Sequence, residues 1–123
     1  DHSDTIAGFS SRGPVTVDGS GRMKPDIAAP GMYITSSMPM GTYGDMSGTS
    51  MAGPHVVGAV VLIWSANPSL IGDIDRTEQI LIRSARAYLG SRDYGCFEGD
   101  IPNAAFGYGI LDVYEAVKLA LRK

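Results

Sequence analysis

With 123 residues, 44% of them hydrophobic and 19% charged, the chain has the make-up of one ordinary folded domain and is too apolar for disorder. A formal net charge of −3 leaves no basic footprint for nucleic acid, and one cysteine, Cys96, excludes an internal disulfide framework. Asp1-His2-Ser3-Asp4 shows neither an initiating methionine nor a leader pattern, so the chain reads as an excised piece.

Residues 1–14 run from a polar stub through Ile6, Ala7 and Phe9 to a turn at Arg12-Gly13-Pro14. Val15-Thr16-Val17 followed by Asp18-Gly19 predicts a short strand entering a turn, because Asp-Gly suits positive φ. Met23 to Pro30 is expected to be extended, since Pro25 and Pro30 push the residues before them out of the α region. Tyr33 to Ser37 predicts a strand that ends at Pro39, and residues 41–47 a loop. The glycines crowd between residues 8 and 58, and turns of that density often build sites.

A polar-to-apolar boundary falls at Ser50. Met51 to Ala66 carries no charge and has apolar residues on every face, which predicts a buried core helix rather than an amphipathic surface one. At ~25 Å it is short for a bilayer, and no membrane span is expected. Pro54 is expected in the first turn, where its missing N–H has no intrahelical partner. Asn67-Pro68 should stop the helix. A second helix is predicted from Arg76 to Tyr88, with Asp75 as N-cap and Glu78 completing a capping box; Ile80, Leu81 and Ala85 face inward, Arg83 and Arg86 outward. Residues 89–106 read as loop, with Cys96 a loop thiol lacking a CxxC partner, and 107–111 as a short strand. The last helix is capped by Asp112 with Glu115 three positions on, and turns Val113, Ala116, Val117 and Ala120 inward.

A serine at the mouth of such a helix faces unpaired backbone N–H groups and the positive end of the helix dipole, which favour a developing negative charge. The same residue types also serve as plain N-caps, so Ser50 and Thr49 by themselves do not establish chemistry. A nucleophilic serine needs a base. His55 lies five residues on, about 140° around the helix axis from Ser50, too far to take its proton, and reads as a structural histidine. His2, in the opening stub, has no fixed geometry for the task.

Gly48-Thr49-Ser50-Met51-Ala52 followed by Pro54-His55 resembles the nucleophile motif of the subtilisin-like serine proteases. Gly8-Phe9-Ser10-Ser11-Arg12-Gly13-Pro14 and Lys24-Pro25-Asp26-Ile27-Ala28-Ala29-Pro30-Gly31 resemble the segments that precede that serine in the family. Gly107-Tyr108-Gly109-Ile110-Leu111-Asp112 with Ala116-Val117 is similar to its closing strand and helix. The resemblance runs from about Ile6 to Leu121 and covers the C-terminal part of such a catalytic domain.

It implies an α/β fold: the C-terminal portion of a subtilisin-like parallel sheet, with a buried central helix starting at Ser50. Residues 1–123 would be a partial catalytic domain whose N-terminal part, with the Asp, the His and the oxyanion Asn, is absent; Asn67 and Asn103 match other positions. By resemblance Ser50 is the nucleophile and one oxyanion donor, with Gly48 and Thr49 beside the oxyanion hole. Met51 packs by the scissile bond, and Phe9 and Met46 border the leaving-group side. Ser47 stands where many bacterial members have Asn.

The implied function is peptide-bond hydrolysis through an acyl-enzyme on Ser50 in the full-length protein, with a polypeptide substrate and the missing N-terminal part as partners. The isolated chain is expected to be inactive and to self-associate. The alternative is a non-catalytic binding or scaffold module, or a pseudoprotease fragment, that retains the fold. No cofactor or metal ligand is assigned in this chain; the family resemblance allows structural calcium in the full-length protein and implies secretion.

Overall fold

The computed structural model describes residues 4–88 and 101–122. Cys96, His2 and most of the loop expected over 89–106 lie outside them.

Ile34–Met38 (β1) pairs antiparallel with Thr42–Met46 (β2), Ile34 opposite Met46 and Met38 opposite Thr42. A 3₁₀ turn at Pro39–Gly41 joins the strands, with Met40 at φ 64° and Gly41 at φ 73° reversing the chain. β2 replaces the loop expected over 41–47. Gly44 and Asp45 are weak strand formers, and only the ladder to β1 makes them extended. Gly44 suits that pairing, because a Cβ there would stand 3.3 Å from Met38 Cγ. The earlier expected strand over 15–17 reduces to a single bridge between Val15 and Arg22 around the turn at Asp18-Gly19.

The 18-residue helix Thr49–Ala66 (α1) is followed by Ile74–Ser84 (α2) and Val113–Ala120 (α3). α1 stops at Asn67 as expected: its N–H donates to the Ile63 carbonyl at 2.9 Å and its side-chain Nδ2 to the Ala120 carbonyl at 2.8 Å. One amide thus closes α1 and ties it to the end of α3. Ala59, Ile63, Leu70, Leu81, Ala116 and Ala120 form the main core between the three helices. The one buried polar side chain among the described residues is Thr77, and it is satisfied. Trp64 Nε1 donates to its Oγ1 at 2.9 Å, and that hydroxyl donates to the Asp73 carbonyl at 2.7 Å.

α2 starts and ends earlier than expected. Asp73, not Asp75, is the cap, its carboxylate accepting from the Arg76 N–H at 3.1 Å. Asp75 falls instead in the first turn, where a negative charge favours the helix dipole. The helix ends at Ser84 because Arg86 exchanges both backbone hydrogen bonds with Ile110, each 2.8 Å, a partner 24 residues away that local periodicity does not reveal. α3 starts as expected, with Asp112 accepting from the Glu115 N–H at 3.0 Å.

A smaller cluster, Ala105, Phe106 and Ile110, packs with Ile6, Ala28 and Tyr88, and the Tyr88 and Phe106 rings stack at 4.0 Å. Here Ala28 pairs with Ile110 in parallel and Ile27 with Gly107 antiparallel. Helices and extended segments are mixed as in an α/β protein, but the parallel pairing among the described residues is that single bridge. Gly107 and Gly109, at φ 61° and 142°, interrupt the strand expected over 107–111 and keep it from forming a ladder.

α1 departs from expectation in two respects. Burial is complete only along one stripe, at Ala59 and Ile63; Val57, Val61 and Leu62 are more than half exposed. Pro54 also stands sixth in the helix, past the first turn, so no N–H at 54 donates to the Ser50 carbonyl. Ser50 is exposed, and water can take that carbonyl. By length and composition α1 would pass for a membrane span, a test that core helices also pass, and the packing of its buried stripe on α3 is of the core kind.

Candidate active site

The start of α1 is held by backbone. The Gly48 carbonyl accepts from the Met51 N–H at 3.0 Å and the Ala52 N–H at 3.3 Å, and the Gly48 N–H donates to the Gly31 carbonyl at 2.8 Å. No side chain caps the helix. Helix geometry leaves the N–H groups of Thr49 and Ser50 without intrahelical partners. With no acidic residue in the first turn, nothing there neutralises the positive end of the helix dipole. Thr49 and Ser50 are both exposed, so a hydroxyl and adjacent N–H donors stand together at an open helix mouth. Such a constellation can present a nucleophile and stabilise an oxyanion.

His55 is occupied elsewhere. Its Nδ1 lies 2.9 Å from the Met51 carbonyl one turn back, a contact within the helix. Asn67 is spent on the end of α1, and Asn103 Oδ1 accepts from the N–H groups of Ala105 and Phe106 at 3.1 and 2.8 Å. Both amides are thus engaged away from the start of α1.

Gly48, Thr49, Ser50 and Met51 form the first turn of α1, and Met46 ends β2 two residues before it, 48% exposed. Phe9 comes from the other side of the chain. It is half exposed and lines a cavity of about 500 Å³ together with Ala28, Thr49, Ala52, Val56 and Phe106. Ser50 does not line this apolar space: the helix residues facing it lie about a third of a turn around the axis from the serine. The cavity therefore adjoins the helix mouth without being the cleft onto which Ser50 opens.

Two residues shape the site without having drawn a role from their sequence. Ser47 Oγ accepts from the Tyr33 N–H at 2.9 Å. Gly31 allows a close backbone approach, since a Cβ there would lie 2.8 Å from the Gly48 carbonyl oxygen. Tyr33 itself holds a left-handed φ of 53°, a conformation that costs a non-glycine residue roughly 1–2 kcal/mol. These contacts join residues 14 or more positions apart, and no local pattern announces them.

A profile of the Subtilase family, Peptidase S8, matches residues 1–109, and the chain belongs to that family. It is 41% identical over 113 residues to Bacillopeptidase F of Bacillus subtilis strain 168, a match covering 91% of this chain and 7% of that protein. To the Minor extracellular protease Vpr of the same organism it is 35% identical over 120 residues, 92% of this chain and 14% of Vpr. Among solved structures, the Clostridium perfringens CspB protease superposes with a TM-score of 0.76 at 28% identity, covering 98% of this chain and 24% of that one. The chain thus spans a small part of the relatives it matches.

Proposed function

We propose that the chain is the serine-bearing C-terminal part of a subtilisin-like endopeptidase, residues 1–123 being a partial catalytic domain. Ser50 attacks the scissile carbonyl, its own N–H donates to the oxyanion with the Thr49 hydroxyl close to the same hole, and the acyl-enzyme is then hydrolysed. Gly48 and Thr49 line the oxyanion hole, Met51 packs by the scissile bond, and Met46 and Phe9 border the leaving group. The observation that carries this reading is the exposed Ser50 at the uncapped, positive mouth of α1.

His55 is bonded to the Met51 carbonyl and Asn67 and Asn103 are engaged elsewhere, so the base, its orienting carboxylate and the oxyanion Asn are assigned to the remainder of the full-length protein. That remainder would cover the exposed stripe of Val57, Val61 and Leu62, which begins about two turns along α1 from Ser50. Alone, the chain has no turnover and self-associates through that stripe; a clean monomer by sedimentation at high concentration would refute the self-association. The substrate is a polypeptide, and secretion follows from the likeness to an extracellular protease. Among the described residues no three His, Cys, Asp or Glu side chains gather as a donor set. Structural calcium in the full-length protein is allowed by the family resemblance.

The test is a fluorophosphonate probe on the full-length protein. Labelling is expected on Ser50 and lost in Ser50→Ala. A full-length protein that does not label, or whose sequence holds no further imidazole able to reach Ser50, would favour the non-catalytic scaffold reading.

A further inference from the structure

The loop before α1 is laced to a second loop at two points, neither of which touches the reacting atoms. Gly48 N–H reaches the Gly31 carbonyl, and Tyr33 N–H reaches Ser47 Oγ, at 2.8 and 2.9 Å. Space between the loops is tight: a Cβ on Gly31 would meet both the Gly48 carbonyl oxygen and, at 3.3 Å, Ala52 Cβ. That same Gly48 carbonyl accepts the hydrogen bonds that begin α1. A shift of residues 31–33 against 47–48 therefore moves the origin of the helix, and with it the direction of the Ser50 side chain and N–H.

The two ties differ in kind. One is backbone to backbone and persists wherever Gly31 is kept. The other depends on a side chain, and it secures a residue whose left-handed φ of 53° makes it the first to relax if released. Ser47 is exposed, so its hydroxyl contributes little packing and acts through this hydrogen bond.

We propose that Ser47 is a positioning residue for Ser50: by accepting the Tyr33 amide it latches loop 31–33 onto loop 47–48 and sets the aim of the serine at the mouth of α1. The proposal rests on the reading of Ser50 as nucleophile.

In the full-length protein, Ser47→Ala is expected to lower kcat on a peptide substrate about tenfold, near the upper end for one neutral hydrogen bond, with KM held within about twofold. Fluorophosphonate labelling of Ser50 slows by the same factor. Ser47→Thr, which keeps the oxygen, restores both. Amide exchange at Tyr33 accelerates in Ser47→Ala while exchange at Ile63, deep in α1, stays unchanged, which distinguishes a released latch from general destabilisation. Wild-type rates in Ser47→Ala, a loss carried by KM, an unchanged Tyr33 amide, or a Ser47→Thr as slow as Ser47→Ala each overturn the positioning role. If the wild-type protein does not label at Ser50 at all, the nucleophile reading fails and takes the positioning role with it.

Discussion

Toward its C-terminal end α1 is closed in by its own chain: Ile63 is fully buried against a core that draws on Leu70, Leu81 and α3, and the Asn67 amide bolts the helix to the Ala120 carbonyl. On the opposite face Val57, Val61 and Leu62 look outward, and Ser50 lies on that same open side. One helix thus has a finished side and an unfinished side. Contacts within 59–84 and from there to 113–120 build the first. The second needs partners that the described residues do not supply, and it is the side on which the proposed nucleophile lies.

The contrast can be broken most forcefully on the finished side. Ile63→Ala should cost about 2–5 kcal/mol in denaturant unfolding, since no neighbour can collapse into the space left among three packed helices. A cost under about 1 kcal/mol would mean that the helical corner is not an independent core. Asp73→Ala should then lose about 1 kcal/mol, the usual value of an N-cap, whereas Asp75→Ala stays within about 0.5 kcal/mol. Equal losses would restore the cap to position 75.

On the open face the expectation reverses with context. Val61→Ser in the chain alone, at a dilution where it is monomeric, should change stability by less than about 0.5 kcal/mol, because Val61 is already 56% exposed. In the full-length protein the same change should cost about 2 kcal/mol if the stripe is covered there. Identical small effects in both would mean that nothing covers it.

The smallest effect lies in the glycine-rich turn. Hydrogen bonds from the Ser20 hydroxyl and N–H, then from Arg22, hold the Asp18 carboxyl down at about 2. Its folded value lies below the unfolded one, so its stabilising contribution is present above the unfolded pKa and is lost as pH falls from about 4 toward 2. A carboxyl-carbon NMR titration should place the midpoint near 2, and a midpoint near 4 would show the turn to be open. Being fully exposed, the group should leave the stability of the helical corner unmoved.

Much was legible from residues alone because it is encoded locally. The run from Met51 to Ala66, the stop at Asn67-Pro68 and the cap at Asp112 each rest on chemistry within a few positions, and the family emerged from contiguous motifs around Ser50 and Gly31. Where two caps competed, at Asp73 and Asp75, local rules chose the wrong one, since both fit the pattern and tertiary packing decided. β2 was missed for a related reason: Gly44 and Asp45 are poor strand formers and become extended only opposite Ser36 and Thr35.

The amino-acid sequence by itself determined that a hydroxyl stands where an apolar helix begins, because capping preference, charge pattern and glycine spacing act over one or two turns. Which side of that helix is sealed, where Arg86 leaves α2 to join Ile110, and that Ser47 grips Tyr33 were decided by tertiary structure. Those contacts span from 14 to more than 50 positions of chain. Their energies depend on closure of the whole rather than on the identity of neighbours, so they appear only once the pieces are in place.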